Sequence, residues 1–77
     1  MSPTQRSPRL NPEKLQLSKW TAAAAVRKEK HFIVTELIRD EDEVVVACRI
    51  EAVHSHRVRQ IDWRELRDGT KWLQGWR

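Results

Sequence analysis

Cations and tryptophans alternate through the C-terminal third of this sequence. Guanidinium and ammonium groups can neutralise phosphates, and indole rings can stack on nucleobases at about 1–3 kcal/mol per base. The pattern favours a surface that contacts RNA or DNA, whereas the simpler alternative is a solvated face on which the charges pair locally. The residues of this pattern are Arg57, Arg59, Trp63, Arg64, Arg67, Lys71, Trp72, Trp76 and Arg77.

A second basic group lies upstream, at Arg27, Lys28 and Lys30. It would extend the same surface if its loop folds against the last strand. We therefore predict a binding module for RNA or DNA. Alternatively, an exposed tryptophan could act as a hot spot for another protein or a second copy of the chain. The predicted contact residues are Trp20, Arg27, Lys28, Lys30, Arg57, Arg59, Arg64, Arg67, Lys71, Trp72 and Trp76.

The histidines His31, His54 and His56, together with Cys48, are of the residue types that zinc prefers. Two imidazoles near one another do not complete a site, and alternation places Cys48 on an apolar face as a small hydrophobe. We expect neither a metal nor a cofactor. The single cysteine excludes an internal disulfide and suits a reducing cytosol.

Catalytic constellations are scarce in this chain. Its two glycines cannot form a glycine-rich phosphate loop. The acidic run at 40–43 is predicted to occupy a solvated hairpin turn, and a pairing of His31 with Glu29 has no accompanying nucleophile. The protein is therefore expected not to be an enzyme.

Length and charge set further bounds. A chain of 77 residues has room for one core, and four indoles are too bulky to be enclosed completely by it. At least one of Trp20, Trp72 and Trp76 is expected to stay exposed, whereas Trp63 is assigned to the core beside Leu66. Net charge is +5 over residues 1–30, −4 over 31–53 and +3 over 54–77, which can give a one-sided positive surface.

The N-terminal region divides near Asn11. Residues 1–10 carry prolines and charge without an apolar run, which predicts a disordered tail and neither a secretory signal nor a membrane span. A cytoplasmic location and a single domain at 11–77 are expected. Asn11-Pro12-Glu13 favours a short helical turn, and the alternation from Leu15 and Leu17 predicts a first strand through Trp20. The alanine run at 22–25 is predicted to be a loop.

The centre of the chain has the clearest pattern, a hairpin. Its first strand is the β-branched run from Phe32 to Ile38, and its second alternates from Val44 to Ala52. A third strand spans Val58 and Ile61, whose spacing predicts a bulge near Gln60. Asp62-Trp63-Arg64-Glu65 matches a capping box with Gly69 as the C-cap, and residues 71–76 return as a last strand with Trp72 and Trp76 on one side.

These elements predict a mainly β fold: a small SH3-like five-stranded antiparallel barrel, or a strongly curled sheet, with one helical turn before the last strand. The apolar face of each element defines the expected core. Its predicted members are Phe32, Val34, Val44, Val46, Cys48, Ile50, Ile61, Trp63 and Leu66.

Several blocks of the chain occur in the same order in a known family. They are 18–22 (SKWTA), 29–34 (EKHFIV), 51–53 (EAV), 61–68 (IDWRELRD) and 72–76 (WLQGW). Over residues 11–77 the chain resembles a family of small tryptophan-rich bacterial proteins of unknown function. The resemblance implies no particular activity.

Overall fold

Five strands and two 3₁₀ turns form residues 10–77, the part of the chain that this computed structural model describes. The strands are β1 (Lys19–Val26), β2 (Glu29–Arg39), β3 (Val45–Ala52), β4 (Val58–Ile61) and β5 (Trp72–Gln74). Of the predicted tail, residues 1–9 lie outside the described part, and Leu10 packs against the core. No helix within residues 10–77 is long and apolar enough to cross a membrane.

The first 3₁₀ turn, Pro12–Lys14, forms where the sequence predicts it. The Asn11 side chain accepts a hydrogen bond from the Glu13 amide, and proline suits the first helical position. Arg39, at the end of β2, forms two hydrogen bonds to the Glu13 carboxylate, at 2.6 and 2.9 Å. This ion pair lowers the pKa of Glu13, mainly through the hydrogen bonding, and joins the turn to the sheet.

The first strand begins later and runs further than predicted. Leu15 is buried, but Leu17 lies outside the strand in a left-handed conformation (φ 67°) and is exposed, so the predicted start of the strand at these leucines is wrong. The alanine run predicted as a loop belongs to β1. Alanine has little strand propensity, but β5 pairs with β1 from Trp20 to Ala22 and Lys71 accepts from the Ala23 amide at 2.8 Å, so tertiary pairing overrides propensity.

The central hairpin of β2 and β3 is confirmed, with two irregularities. Thr35 is an extra residue in β2, and Val46 is an extra residue in β3. The second bulge shifts the alternation of β3, so that Val45 is buried in place of its neighbours. Val44 and Val46 are 53% and 37% exposed, and their assignment to the core is wrong.

The C-terminal elements differ from the prediction in detail. β4 pairs with β3 in constant register from Val58 to Ile61, so there is no bulge near Gln60. The predicted turn is the second 3₁₀ turn, Trp63–Arg67, in which Asp62 accepts from the Arg64 amide. Its C-cap is Asp68 in an extended conformation, which makes a left-handed glycine at Gly69 unnecessary.

The strands form one antiparallel sheet in the order β4-β3-β2-β1-β5. Within residues 10–77 the edge strands β4 and β5 do not pair with each other, so the expected closed barrel is wrong and the open-sheet alternative is correct. The likeness to SH3 domains stays a prediction. The described part of the chain is flat, with a smallest principal-axis extent of 16 Å.

One face of this sheet, covered by the second 3₁₀ turn and the segment before β1, carries the core. All the residues predicted for the core are buried there except Val44 and Val46. Trp20 and Trp72 join them, so three of the four indoles are enclosed. The core cluster is Leu15, Trp20, Phe32, Val34, Val45, Cys48, Ile50, Ala52, Ile61, Trp63, Leu66 and Trp72.

Candidate functional site

A cleft of about 290 Å³ opens on the core-bearing face, between the β1–β2 hairpin and β4. Three predicted contact residues line it, one from each of three segments: the hairpin tip, the β3–β4 turn and β4 itself. We call it the arginine cleft. Its lining residues are Ala22, Ala24, Val26, Arg27, Glu29, Phe32, Arg57 and Arg59.

Arg27 reaches the cleft from a tight two-residue turn. Val26 pairs with Glu29, and the two residues between them, Arg27 and Lys28, both adopt positive φ angles of 57° and 63°. Such hairpin turns usually contain asparagine and glycine, because a side chain costs about 1–2 kcal/mol in this conformation. The tip therefore presents two cations at positions where backbone strain disfavours them.

A buried carboxylate positions Arg57. The Glu29 side chain is 9% exposed, and one of its oxygens lies 3.0 Å from Nε of Arg57. The Ser55 hydroxyl donates to the same oxygen. Glu29 thus keeps the guanidinium close by an ion pair and offsets one of the three arginine charges, which leaves the cleft at a formal +2.

Arg59 has no such counter-charge. It lies opposite Ile50 in the β3–β4 ladder and therefore on the core-bearing face, with its guanidinium carbon 5.7 Å from the centre of the Phe32 ring. Within residues 10–77 no carboxylate lies in ion-pair distance of Arg59. A cation over an aromatic face is held in place without being neutralised.

Trp76 is the tryptophan that remains exposed, at 44%, and it lies on the opposite face of the sheet. Its Nε1 donates to the Phe32 carbonyl at 2.9 Å, and its ring lies beside His31 and Lys19. Thr21 fixes the adjoining backbone by donating to the Gly75 carbonyl and accepting from the Arg77 amide. Trp72 and Trp76 thus lie on different sides, contrary to the sequence-based expectation.

The reversal at Gly75 explains that placement, because its φ of 79° turns the chain back over β1. We predict that Gly75→Ala lowers the free energy of unfolding by about 1 kcal/mol, since a Cβ disfavours this backbone conformation. No atom lies within 4 Å of the added Cβ, so the loss is one of backbone conformation. Thermal unfolding measures it. The control Gly69→Ala, also unobstructed and without a positive φ, should leave stability unchanged or slightly raised.

The other predicted contact residues do not line the arginine cleft. Trp20 and Trp72 are buried and offer little surface to a ligand. The guanidinium carbon of Arg64 lies 4.9 Å from the Trp63 ring centre, and one of its terminal nitrogens lies 3.4 Å from an Asp62 oxygen. Arg67 lines a smaller cleft of about 200 Å³ near β5. Lys28, Lys30 and Lys71 are exposed.

The histidines and the cysteine that could ligate a metal lie apart from one another. Cys48 is fully buried, and that burial, with the charges of Asp62 and Glu65, raises the pKa of its thiol to about 11. His54 and His56 are exposed, and His56 Nδ1 lies 2.8 Å from a Glu51 oxygen. Within residues 10–77 no group of three or more histidine, cysteine, aspartate or glutamate side chains could hold a metal.

The sequence predicted the three arginines of the cleft as contact residues but did not predict the apolar residues that form its wall. Ala22, Ala24 and Val26 point into it from alternate positions of β1, and Glu29 orients Arg57 from below. The signal was the two-residue spacing that continues from Trp20, which the low strand propensity of alanine obscured.

Residues 18–77 match the model of a family described as Tryptophan-rich protein (DUF2389). No curated protein and no solved structure matches the chain. The family description refers to composition and gives no reaction, so the geometry of the described residues is the basis for a functional argument.

Proposed function

This chain belongs to the tryptophan-rich DUF2389 family, and from that premise we propose that it is a non-catalytic binding module that contacts RNA or DNA through the arginine cleft. The proposal includes a cytoplasmic location. The observation that carries it is the presence of Arg27, Arg57 and Arg59 around one cleft with a single carboxylate between them.

Charge distribution supports an anionic ligand. Elsewhere on the sheet the arginines are neutralised in pairs, as Arg39 is by Glu13 and Arg49 by Glu36. The cleft keeps a surplus of two positive charges although a low-dielectric wall adjoins it, which strengthens its attraction for phosphate. An arginine presents several donors in a fixed plane and suits phosphate oxygens.

Binding to nucleic acid at this cleft should depend strongly on salt. Three arginine–phosphate contacts displace enough counterions that raising monovalent salt from about 50 to 200 mM should weaken binding roughly 20- to 40-fold. Fluorescence anisotropy with a labelled mixed-sequence oligonucleotide measures this slope. Affinity that is absent at low salt, or independent of salt, would contradict the proposal.

Substitution of Arg59 gives the clearest test, because Arg59 has no carboxylate partner and its removal leaves no buried charge unpaired. Arg59→Ala should weaken oligonucleotide binding about tenfold while the far-ultraviolet circular dichroism stays that of the wild type. The matched control is Arg49→Ala, which removes the same charge from the opposite face, where Arg49 pairs with Glu36. Equal losses in the two variants would show that net charge, and not the cleft, is responsible.

The exposure of Trp76 favours a second candidate function, an assembly surface for another protein or a second copy of the chain. The half-exposed indole is the kind of side chain that dominates protein interfaces. If two copies associate through it, the sedimentation coefficient of the wild type should rise with concentration and that of Trp76→Ala should not. Because Trp76 and the arginine cleft lie on opposite faces, the two functions are separable.

A further inference from the structure

Resting on the proposed function, we propose that the arginine cleft accommodates one unpaired nucleotide of a longer strand, with its base against the apolar wall and its own and neighbouring phosphates on the arginines. The ligand is then single-stranded nucleic acid. Three features of the cleft favour such a ligand: its apolar wall, its size and the orientation of its guanidinium groups.

A phosphate alone would make no favourable contact with the apolar wall of the cleft. Ala22, Ala24 and Val26 line one side, and the Phe32 ring forms part of the boundary. Small side chains in succession leave a smooth surface against which a flat ring can pack, and burying apolar area there is favourable. A ligand that uses the whole cleft therefore has an apolar planar part as well as a negative charge.

The size of the cleft fits one base. Its volume of about 290 Å³ lies just below the range found for small-molecule sites, which is roughly 300–1,000 Å³. A nucleic-acid duplex is too broad to enter the cleft. A base that is already paired and stacked would have to leave its duplex first, which opposes binding.

The guanidinium groups are arranged for both parts of a nucleotide. Nε of Arg57 lies 3.0 Å from a Glu29 oxygen, and within residues 10–77 its two terminal nitrogens make no hydrogen bond, so they are available to phosphate oxygens. Arg59 already lies over an aromatic ring, and its planar group can stack on a base from the open side. Arg27 at the hairpin tip adds a third cation along the path of the strand.

The experiment compares three probes of equal length, about 12 nucleotides, against the wild-type chain: a mixed-sequence single strand, the same sequence as a duplex, and an abasic single strand. The expected result is affinity for the ordinary single strand at least tenfold above that for either of the others. Because the abasic strand keeps its phosphates, it isolates the contribution of the base.

Duplex binding as tight as single-strand binding would overturn this inference while leaving the proposed function intact. It would instead indicate that the β1–β2 hairpin enters a major groove, which is wide enough for a two-stranded ribbon. Equal affinity for the abasic strand would overturn the inference as well. No binding to any probe would overturn both proposals together.

A pair of neighbouring substitutions tests the location. Ala24→Leu fills the cleft without changing charge and should weaken single-strand binding at least fivefold. Ala23→Leu, on the next residue of the same strand, points away from the cleft and should change affinity less than twofold. Retention of full affinity by a folded Ala24→Leu variant would overturn the inference, and the abasic comparison on the wild type decides it if that variant does not fold.

Discussion

Trp72→Ala is expected to lower the free energy of unfolding by about 4 kcal/mol, because it removes a large buried side chain and leaves a cavity. Trp72 is 4% exposed, meets Phe32 edge-on at 5.1 Å between ring centres, and donates from Nε1 to Glu65 at 3.0 Å. A domain of this size holds only about 4–12 kcal/mol in total. The variant should therefore lose most of its cooperative unfolding transition, or show a midpoint roughly 20 °C lower.

Trp76→Ala is the control for this prediction, since it deletes the same atoms from a half-exposed site. It should cost at most about half as much, because less apolar area leaves water when Trp76 folds into place. Chemical denaturation of both variants measures the difference. Equal losses would mean that the face carrying Trp76 contributes to stability as much as the core does.

Alkaline destabilisation is the second large effect that we expect. Burial, with the charges of Asp62 and Glu65, raises the pKa of the Cys48 thiol from 9.0 to about 11, so the folded chain keeps a proton that the unfolded chain has already released. Between these values the folded state binds more protons. Stability is thus complete below pH 9 and falls as pH rises through about 11, by roughly 2 kcal/mol.

Urea denaturation at intervals from pH 8 to pH 11 tests this dependence. Cys48→Ala lowers stability at every pH but should flatten the decline, because it removes the titrating thiol. The chain has no tyrosine, so no tyrosine hydroxyl titrates between pH 8 and pH 11. A decline of the same steepness in Cys48→Ala would assign it to the lysines and exclude the thiol as its cause.

Strand identity follows from sequence where β-branched residues occur in succession, as in the hairpin of β2 and β3. The register within that hairpin does not follow, because a bulge depends on how two strands pair. Thr35 and Val46 carry no local signal of being extra residues, yet the second decides that Val45 is buried and Val44 exposed. Similarly, β1 continues into the alanines because β5 pairs with it as far as Ala22 and the Lys71 carbonyl accepts from the Ala23 amide.

In the candidate site, too, the sequence predicts the residue types, whereas tertiary structure decides which of them meet. The composition of the C-terminal third indicates cations that can meet phosphate, and Arg57 and Arg59 are among them. Their convergence with Arg27 depends on a sheet that brings residues some thirty positions apart to one cleft. The role of Glu29 is also set by tertiary structure, since its partners Ser55 and Arg57 lie in the turn between β3 and β4.

The outer strand β4 has a consequence for the behaviour of the protein in concentrated solution. An unpaired strand edge is a template on which other chains can add and grow into fibrils. This edge is four residues long, and within it Arg59 carries a positive charge that no ion pair offsets within residues 10–77. Two copies brought edge to edge would place these like charges close together and repel each other, so a cation proposed to attract a ligand also protects the protein against aggregation.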